Sequence, residues 1–350
     1  MPTPRPAAIA LATLLCLAVG CSEADSGSGA DGGKAGSADK APSAARGTYP
    51  VTLKNCGRDQ TFDKAPGRVV VMNGASVAEV STLLALGQGD RIVANQQTYG
   101  MSEVPGRAEE IKGLPTGGVK PNEAFDVPRE AMIGLRPDFV LSTTAYGFDS
   151  KNGFATREQL NEVGARTYIS PEGCGQDNLN MTIDDSYTLL RDMGRIFGVE
   201  EKAEKLVATE RQNIADVAAK VGYAKKPKVM VIFSNMTMGG NDFSSVAAHG
   251  IYNDILAKAG GSNAFASASK TSFADLSKEK AAATDVDALV VVSYNDPAPT
   301  AYAKKLLKEF PQWPAAKKNK FVVLSDSMYL GPSNDMAVEK IARMLHPDAF

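Results

Sequence analysis

Ser, His and Asp are all present in this 350-residue chain, but in no arrangement that performs covalent chemistry. The sequence contains no Gly-x-Ser-x-Gly elbow, no HExxH, no P-loop and no paired catalytic carboxylates, and the strand–loop–helix stretch 68–94 carries no GxGxxG. An enzyme of another type is the weaker alternative, and no cofactor is implied. Metal capture is equally poorly supplied. A free transition-metal site needs several converging His, Asp or Glu ligands, and the only histidines are His249 and His346. His346 lies at the C-terminal end, and His249 reads as a residue at a helix start; Tyr294 with His249 completing an iron coordination sphere is the alternative. Recognition remains. Asn73 and Ser76, Tyr99 and Met101, Thr144, Tyr146 and Phe148, Asn235, Met236 and Asp242, Phe273, Tyr294 and Asn295, and Met328 and Tyr329 fall in or beside predicted loops. Tyrosine offers a large contact area at small entropic cost, plus a hydroxyl. For several of these aromatics, core packing is the competing reading. Trp313, between Pro311 and Pro314, reads as a packing residue. Only Arg107 and Lys151 bring basic charge near these loops, which favours a neutral or weakly charged ligand.

The elements that position these residues alternate. A hairpin is expected from 51–53 and 60–62. Arg68-Val69-Val70-Val71-Met72 is dense enough for a buried parallel strand. A helix over 77–86, closed by Gly87, and a strand over 91–94 complete a βαβ unit. A helix over 124–135, a strand over 139–142, a helix over 156–163 and a strand over 167–169 follow. After residue 227 the order recurs: strand 228–233, a polar loop 234–245, helix 250–259, strand, helix 301–310, strand 320–324 and helix 338–345. Alternation of this kind predicts mainly parallel sheets covered on both faces.

The clearest internal match pairs Arg129-Glu130 with Lys278-Glu279. Each glutamate stands eight residues before a turn aspartate, Asp138 or Asp287, that leads into an apolar strand. Between the halves lie two helices. The first spans about 182–197, with Thr182 as N-cap and Asp185 three residues on. The second runs from Glu200 to the stop at Gly222 and would be about 33 Å long. The fold class is therefore α/β: two similar lobes with mainly parallel sheets, joined by a long rigid helix, with a ligand cleft between them. The expected divisions are 1–21, 22–47, 48–181 for the N-terminal lobe, 182–223 for the connecting helices, and 224–350 for the C-terminal lobe.

A net charge of −2 argues against a nucleic-acid partner. Residues 7–19 are apolar apart from Thr13, too short for a comfortable membrane span. Leu17-Ala18-Val19-Gly20-Cys21 resembles a bacterial lipobox, whose Cys becomes a lipidated N-terminus; Ala18 stands where the usual pattern has Leu, which leaves ordinary secretion as the alternative. Residues 22–46, almost entirely Ser, Gly, Ala, Asp, Lys and Pro, form a flexible tether. In an exported chain Cys56 and Cys174 are expected to form one disulfide, with two free thiols as the alternative.

In its ordered set of features the chain resembles the substrate-binding lipoproteins of ABC importers for ferric siderophores, haem and cobalamin. The resemblance rests on Arg68-Val69-Val70-Val71 with its polar loop and helix, on Glu130…Pro137-Asp138-Phe139-Val140, on the copy at Glu279, on the central helices, and on Tyr49-Pro50-Val51-Thr52-Leu53-Lys54-Asn55-Cys56-Gly57. It covers nearly all of residues 51–350. It implies a monomeric protein, lipid-anchored at Cys21 on the extracytoplasmic face of the cell membrane. It further implies capture of a small-molecule iron chelate and delivery to an ABC permease dimer with its ATPase. Glu130 and Glu279 would dock on the permease, and Asn73, Ser76, Tyr99, Tyr146, Asn235, Phe273, Tyr294 and Tyr329 would meet the ligand. A neutral or hydroxamate siderophore is favoured; cobalamin or haem binding, or a sensor lipoprotein, are the alternatives.

Overall fold

The computed structural model describes residues 48–74, 76–98, 102–175, 180–222, 225–234, 243–293, 296–325 and 330–350. Cys21 and its surroundings lie outside these residues. The chain opens with an antiparallel hairpin of β1 (Val51–Asn55) and β2 (Arg58–Phe62). The N-terminal lobe follows: β3 (Val69–Val71), α1 (Ala78–Ala85), β4 (Ile92–Asn95), α2 (Arg107–Gly113), α3 (Arg129–Gly134), β5 (Phe139–Ser142), α4 (Arg157–Glu162) and β6 (Arg166–Ile169). Its strands lie in the order β4-β3-β5-β6, all parallel. The hairpin docks beside β6 through Asn55, whose amide donates to the Ile169 carbonyl and accepts from its N–H, at 2.8 and 2.9 Å.

Two helices come next, α5 (Ile183–Phe197) and α6 (Glu200–Val221). The Asp185 carboxylate accepts from Thr182 N–H at 2.7 Å, so the start of α5 is closed as the sequence predicts. Gly198, at φ 66°, ends α5 in the left-handed region. The expected helices in series are thus a hairpin. Asp184 pairs with Arg211, and Arg191 with Glu204 through Nε and Nη2 of its guanidinium at 2.7 and 3.0 Å. A side chain at Gly194 would meet Ala203 at 2.6 Å, so the helices touch backbone to backbone near the turn. The 22-residue α6 is the long helix that leads into the second lobe.

That lobe contains β7 (Lys228–Phe233), β8 (Phe243–Val246), α7 (Ile251–Lys258), β9 (Ser262–Asn263), β10 (Phe273–Leu276), α8 (Lys278–Ala282), β11 (Ala288–Ser293), α9 (Pro299–Glu309), α10 (Pro314–Lys317), β12 (Phe321–Ser325) and α11 (Asn334–Leu345). Its sheet runs β10-β8-β7-β11-β12 with β9 beside the start of β7. β7, β11 and β12 are parallel, whereas β8 is antiparallel to β7 and β10 antiparallel to β8. Residues 234–245 are expected as a loop, yet Phe243–Val246 form the short polar strand β8. α2 has no counterpart among the expected elements, and of the helix expected over 124–135 only α3 is helical.

Strand alternation divides the interior three ways. Val69, Val71, Phe139 and Leu141 of the first lobe, and Val229, Val231, Val290 and Val292 of the second, share one apolar core with α1, α5, α6, α7 and α11. The intervening residues face outward. Val70 and Val140 pack with Met132 and Leu160, and Met230, Ile232, Leu289 and Val291 pack with Leu306, Phe310 and Trp313. The duplication extends to hydrogen bonds. The Asp138 carboxylate accepts from Gly67 and Arg68 N–H, both at 2.8 Å, and the Asp287 carboxylate accepts from Lys228 N–H at 2.8 Å. Each turn aspartate therefore clamps the start of its lobe's first parallel strand.

Candidate ligand-binding site

In open α/β sheets, ligands meet the loops at the carboxyl ends of the strands. Here most of the loop after β7, the first residues of the loops after β11 and β12, and the middle of the loop after β4 lie outside the described residues. They contain Tyr99, Met101, Asn235, Met236, Asp242, Tyr294, Asn295, Met328 and Tyr329. The described rim belongs to the first lobe.

Asn73 follows β3 and organises that rim. Its amide donates to the Phe125 carbonyl at 2.7 Å, its oxygen accepts from Gly74 N–H at 2.9 Å, and its own N–H donates to the Asp126 carboxylate at 3.1 Å. Asp126 also accepts from Val127 N–H at 2.8 Å. Burial nevertheless pushes its carboxyl up to about 6, against those two donors. Gly74 is held so near Thr143 that an added Cβ would lie 2.1 Å from the hydroxyl. Ser76 is buried, and its hydroxyl accepts from Ala78 N–H at 3.2 Å at the start of α1.

Phe125, which the sequence reading passed over, is 75% exposed and has φ 65°. A left-handed phenylalanine is unfavourable by itself. It persists because its N–H donates to Asn122 O at 2.9 Å while Asn73 holds its carbonyl. Tyr146, in a 3-10 turn after β5, is 51% exposed; its hydroxyl lies 3.4 Å from the Ala124 carbonyl and its ring meets Phe154 edge-on. Two aromatic side chains are thus open to solvent beside one another in the fold. Thr144 is half-buried, and Phe148 is buried in the outer core of the first lobe. Ala145 N–H donates to the Gly173 carbonyl at 2.8 Å, next to Cys174, which is bridged to Cys56. The expected disulfide is therefore present, and it backs the segment that carries Tyr146.

In the second lobe Phe273 is half-buried, edge-on to Phe233 at 5.6 Å, with Tyr252 on the other side of Phe233. His249 is half-buried in the bend before α7, and no group of three or more metal-ligating side chains occurs among the described residues. Arg107 is turned to its own lobe: the guanidinium donates to Ser81 O at 2.9 Å and faces Glu110 at 3.1 Å. Asn73, Phe125, Thr144 and Tyr146 carry no formal charge.

The matching glutamates are both exposed in the first turn of a short helix that precedes a strand. Glu130 is on α3, where the Arg129 guanidinium at 2.8 Å holds its carboxyl below the usual range. Glu279 is on α8, capped by Ser277, and hydrogen bonds from its own backbone and from Ser277 lower it likewise. Trp313 holds α8 from beneath, stacked on Phe310 at 4.3 Å and donating to Ala281 O at 3.0 Å.

Residues 69–328 match the family model described as periplasmic binding protein. The chain belongs to the periplasmic binding protein family. Among relatives of this periplasmic binding protein is the uncharacterized ABC transporter substrate-binding lipoprotein YvrC of Bacillus subtilis, 22% identical over 310 residues, covering 86% of this chain and 87% of that one. Among solved structures, the ABC-type Fe3+-hydroxamate transport system protein of Saccharomonospora viridis is 25% identical, with a TM-score of 0.66 over 85% of this chain and all of that one. The haem-binding protein RhuT of Roseiflexus, 21% identical with a TM-score of 0.59, covers 81% of this chain and 99% of that one, and shares the fold. Among the described residues no helix is long and apolar enough to cross a membrane.

Proposed function

We propose that this periplasmic binding protein captures a ferric siderophore of neutral or hydroxamate type outside the cytoplasm and delivers it to an ABC permease. The observation that carries the reading is the duplicated α3–β5 and α8–β11 unit. Each copy presents an exposed glutamate above a strand held in register by its aspartate, an arrangement suited to a two-fold permease with basic pockets. Similarity to an ABC substrate-binding lipoprotein and to an Fe3+-hydroxamate system protein supports it. The uncharged rim of Asn73, Phe125, Thr144 and Tyr146 fits a ligand without strong negative charge. The role is binding, not catalysis.

Exposed Phe125 and Tyr146 favour one second reading, a planar macrocycle such as haem. Trp313 is buried in the second lobe's outer core, so calorimetry is the better assay. Titration with a ferric tris-hydroxamate, a ferric tris-catecholate, haemin and cobalamin is expected to give tight binding of the hydroxamate. Binding of haemin alone would transfer the assignment to the second reading; no binding by any of the four would overturn both. Glu130→Ala with Glu279→Ala is expected to leave affinity intact and to abolish most uptake in cells. Cys21 is proposed as the lipid anchor: Cys21→Ser should release the protein from the membrane fraction, and retention there would reject the anchor.

A further inference from the structure

β4 borders the first sheet and β12 the second, and the segment beyond β4 meets the end of β12. Glu103, in the loop between β4 and α2, crosses from one lobe to the other. One carboxylate oxygen accepts from Ser325 N–H, the last residue of β12, at 3.1 Å. The other faces Lys340 Nζ of α11 at 2.9 Å. Lys340 also reaches the Val323 carbonyl at 3.4 Å, so the ammonium is seated on its own lobe while it holds the carboxylate of the other. The Lys340 side chain is 39% exposed against 24% for Glu103, so the pair stays open to screening by salt.

The neighbouring contact between lobes is less well satisfied. Gly331, at φ 100°, lies against α1, where a Cβ would come within 3.1 Å of Ala78 O and 3.2 Å of the Thr82 hydroxyl. That Thr82 hydroxyl is buried without a hydrogen-bond partner. Parting the lobes would return it to water, so this hydroxyl does not itself hold them together. Glu103 does so, with a charge-assisted pair and a backbone hydrogen bond to a strand end.

We propose that Glu103 is an interlobe clasp that sets the resting angle between the two lobes, and with it the gap that a bound ligand must span. The test reads the lobes directly and uses no ligand, so its outcome is independent of the functional reading. Nitroxides are placed on the full chain through Glu162→Cys on α4 and Lys308→Cys on α9, both exposed, with Cys16 and Cys21 changed to Ser. Pulsed electron spin resonance then gives the distance distribution. Glu103→Gln and Lys340→Met are each expected to lengthen or broaden it beyond the parent's own width, and the double variant to change it no further than either alone. Raising NaCl from about 0.05 to about 0.5 M should broaden the parent and not the variants. Asp184→Asn, which breaks an exposed pair inside the α5–α6 hairpin, serves as the control and should leave the distribution unchanged. Distributions of both clasp variants that superimpose on the parent, or effects that add in the double variant, would overturn the clasp. Circular dichroism on each variant verifies that it is folded, and the near-isosteric Glu103→Gln carries the test if Lys340→Met is not.

Discussion

Asp126 joins the rim of the candidate site to the stability of the lobe. Its carboxyl is raised from 3.8 to about 6 by burial, so the folded protein binds that proton more tightly than the unfolded chain does. The sign follows: the penalty is absent below about pH 4, grows as pH rises, and is complete above about pH 6. A shift of this size corresponds to roughly 3 kcal/mol at most. Denaturant unfolding between pH 4 and 7 should therefore show stability falling with pH in the parent, and Asp126→Asn should make that slope shallower, the remainder belonging to other buried carboxyls such as Glu210. An equal slope in the variant would place the titration elsewhere. Phe125→Ala is expected to weaken ligand binding by roughly tenfold without loss of stability, because the ring is exposed. Neither residue was legible beforehand. Val127, Ala131 and Leu135 recur at helical spacing, and that periodicity drew residues 124–126 into a helix. What removes them from it is Asn73, some fifty residues upstream. The place of Asn73 at a strand end was legible, because it follows a run of valines dense enough for a buried strand.

α6 carries a stripe of buried residues, Ala203, Val207, Ile214, Val217 and Val221, interrupted by Glu210. Glu210 is 5% exposed, and neither carboxylate oxygen has a hydrogen-bond partner. Desolvation, with the Asp335 charge adding to it, pushes this carboxyl well above its ordinary value. The folded state again prefers the proton, so Glu210 costs stability increasingly as pH rises above the ordinary glutamate range. Glu210→Gln should stabilise the protein by about 1–3 kcal/mol at neutral pH and much less at acid pH. Thermal unfolding at pH 4 and pH 7.5 checks this, and destabilisation by Gln at both would show that the carboxylate has a partner. The two helices were readable from caps and spacing, down to the Gly222 stop. Their antiparallel pairing was not, although Asp184–Arg211 and Arg191–Glu204 lie at matched distances from Gly198. β8 and β10 escaped because strands on the antiparallel side of a sheet need no unbroken apolar run.

At the scale of the whole molecule, one core runs through both lobes and each lobe adds a core of its own. Duplication was legible because it repeats a short signal: a basic–Glu pair, a brief helix, an aspartate, a strand. The structure supplies the reason for the aspartate, which clamps the first strand of each lobe. The Cys56–Cys174 bridge closes a loop of 118 residues across the first lobe. Replacing both cysteines by serine should lower stability by about 2–5 kcal/mol, and urea unfolding with and without reductant measures it. Equal midpoints would mean that the loop is already closed by Asn55, Arg157 and Thr167, which join the hairpin to β6. The same bridge sits behind Gly173, whose carbonyl steadies the backbone next to Tyr146. Such a bridge persists only under oxidising conditions. On the export reading, a newly made chain still in the cytoplasm therefore lacks the brace behind its exposed tyrosine. If the proposed capture of an iron chelate depends on that brace, competence to bind would be acquired only after translocation, and the copies still waiting to leave would spare the cell's internal chelates.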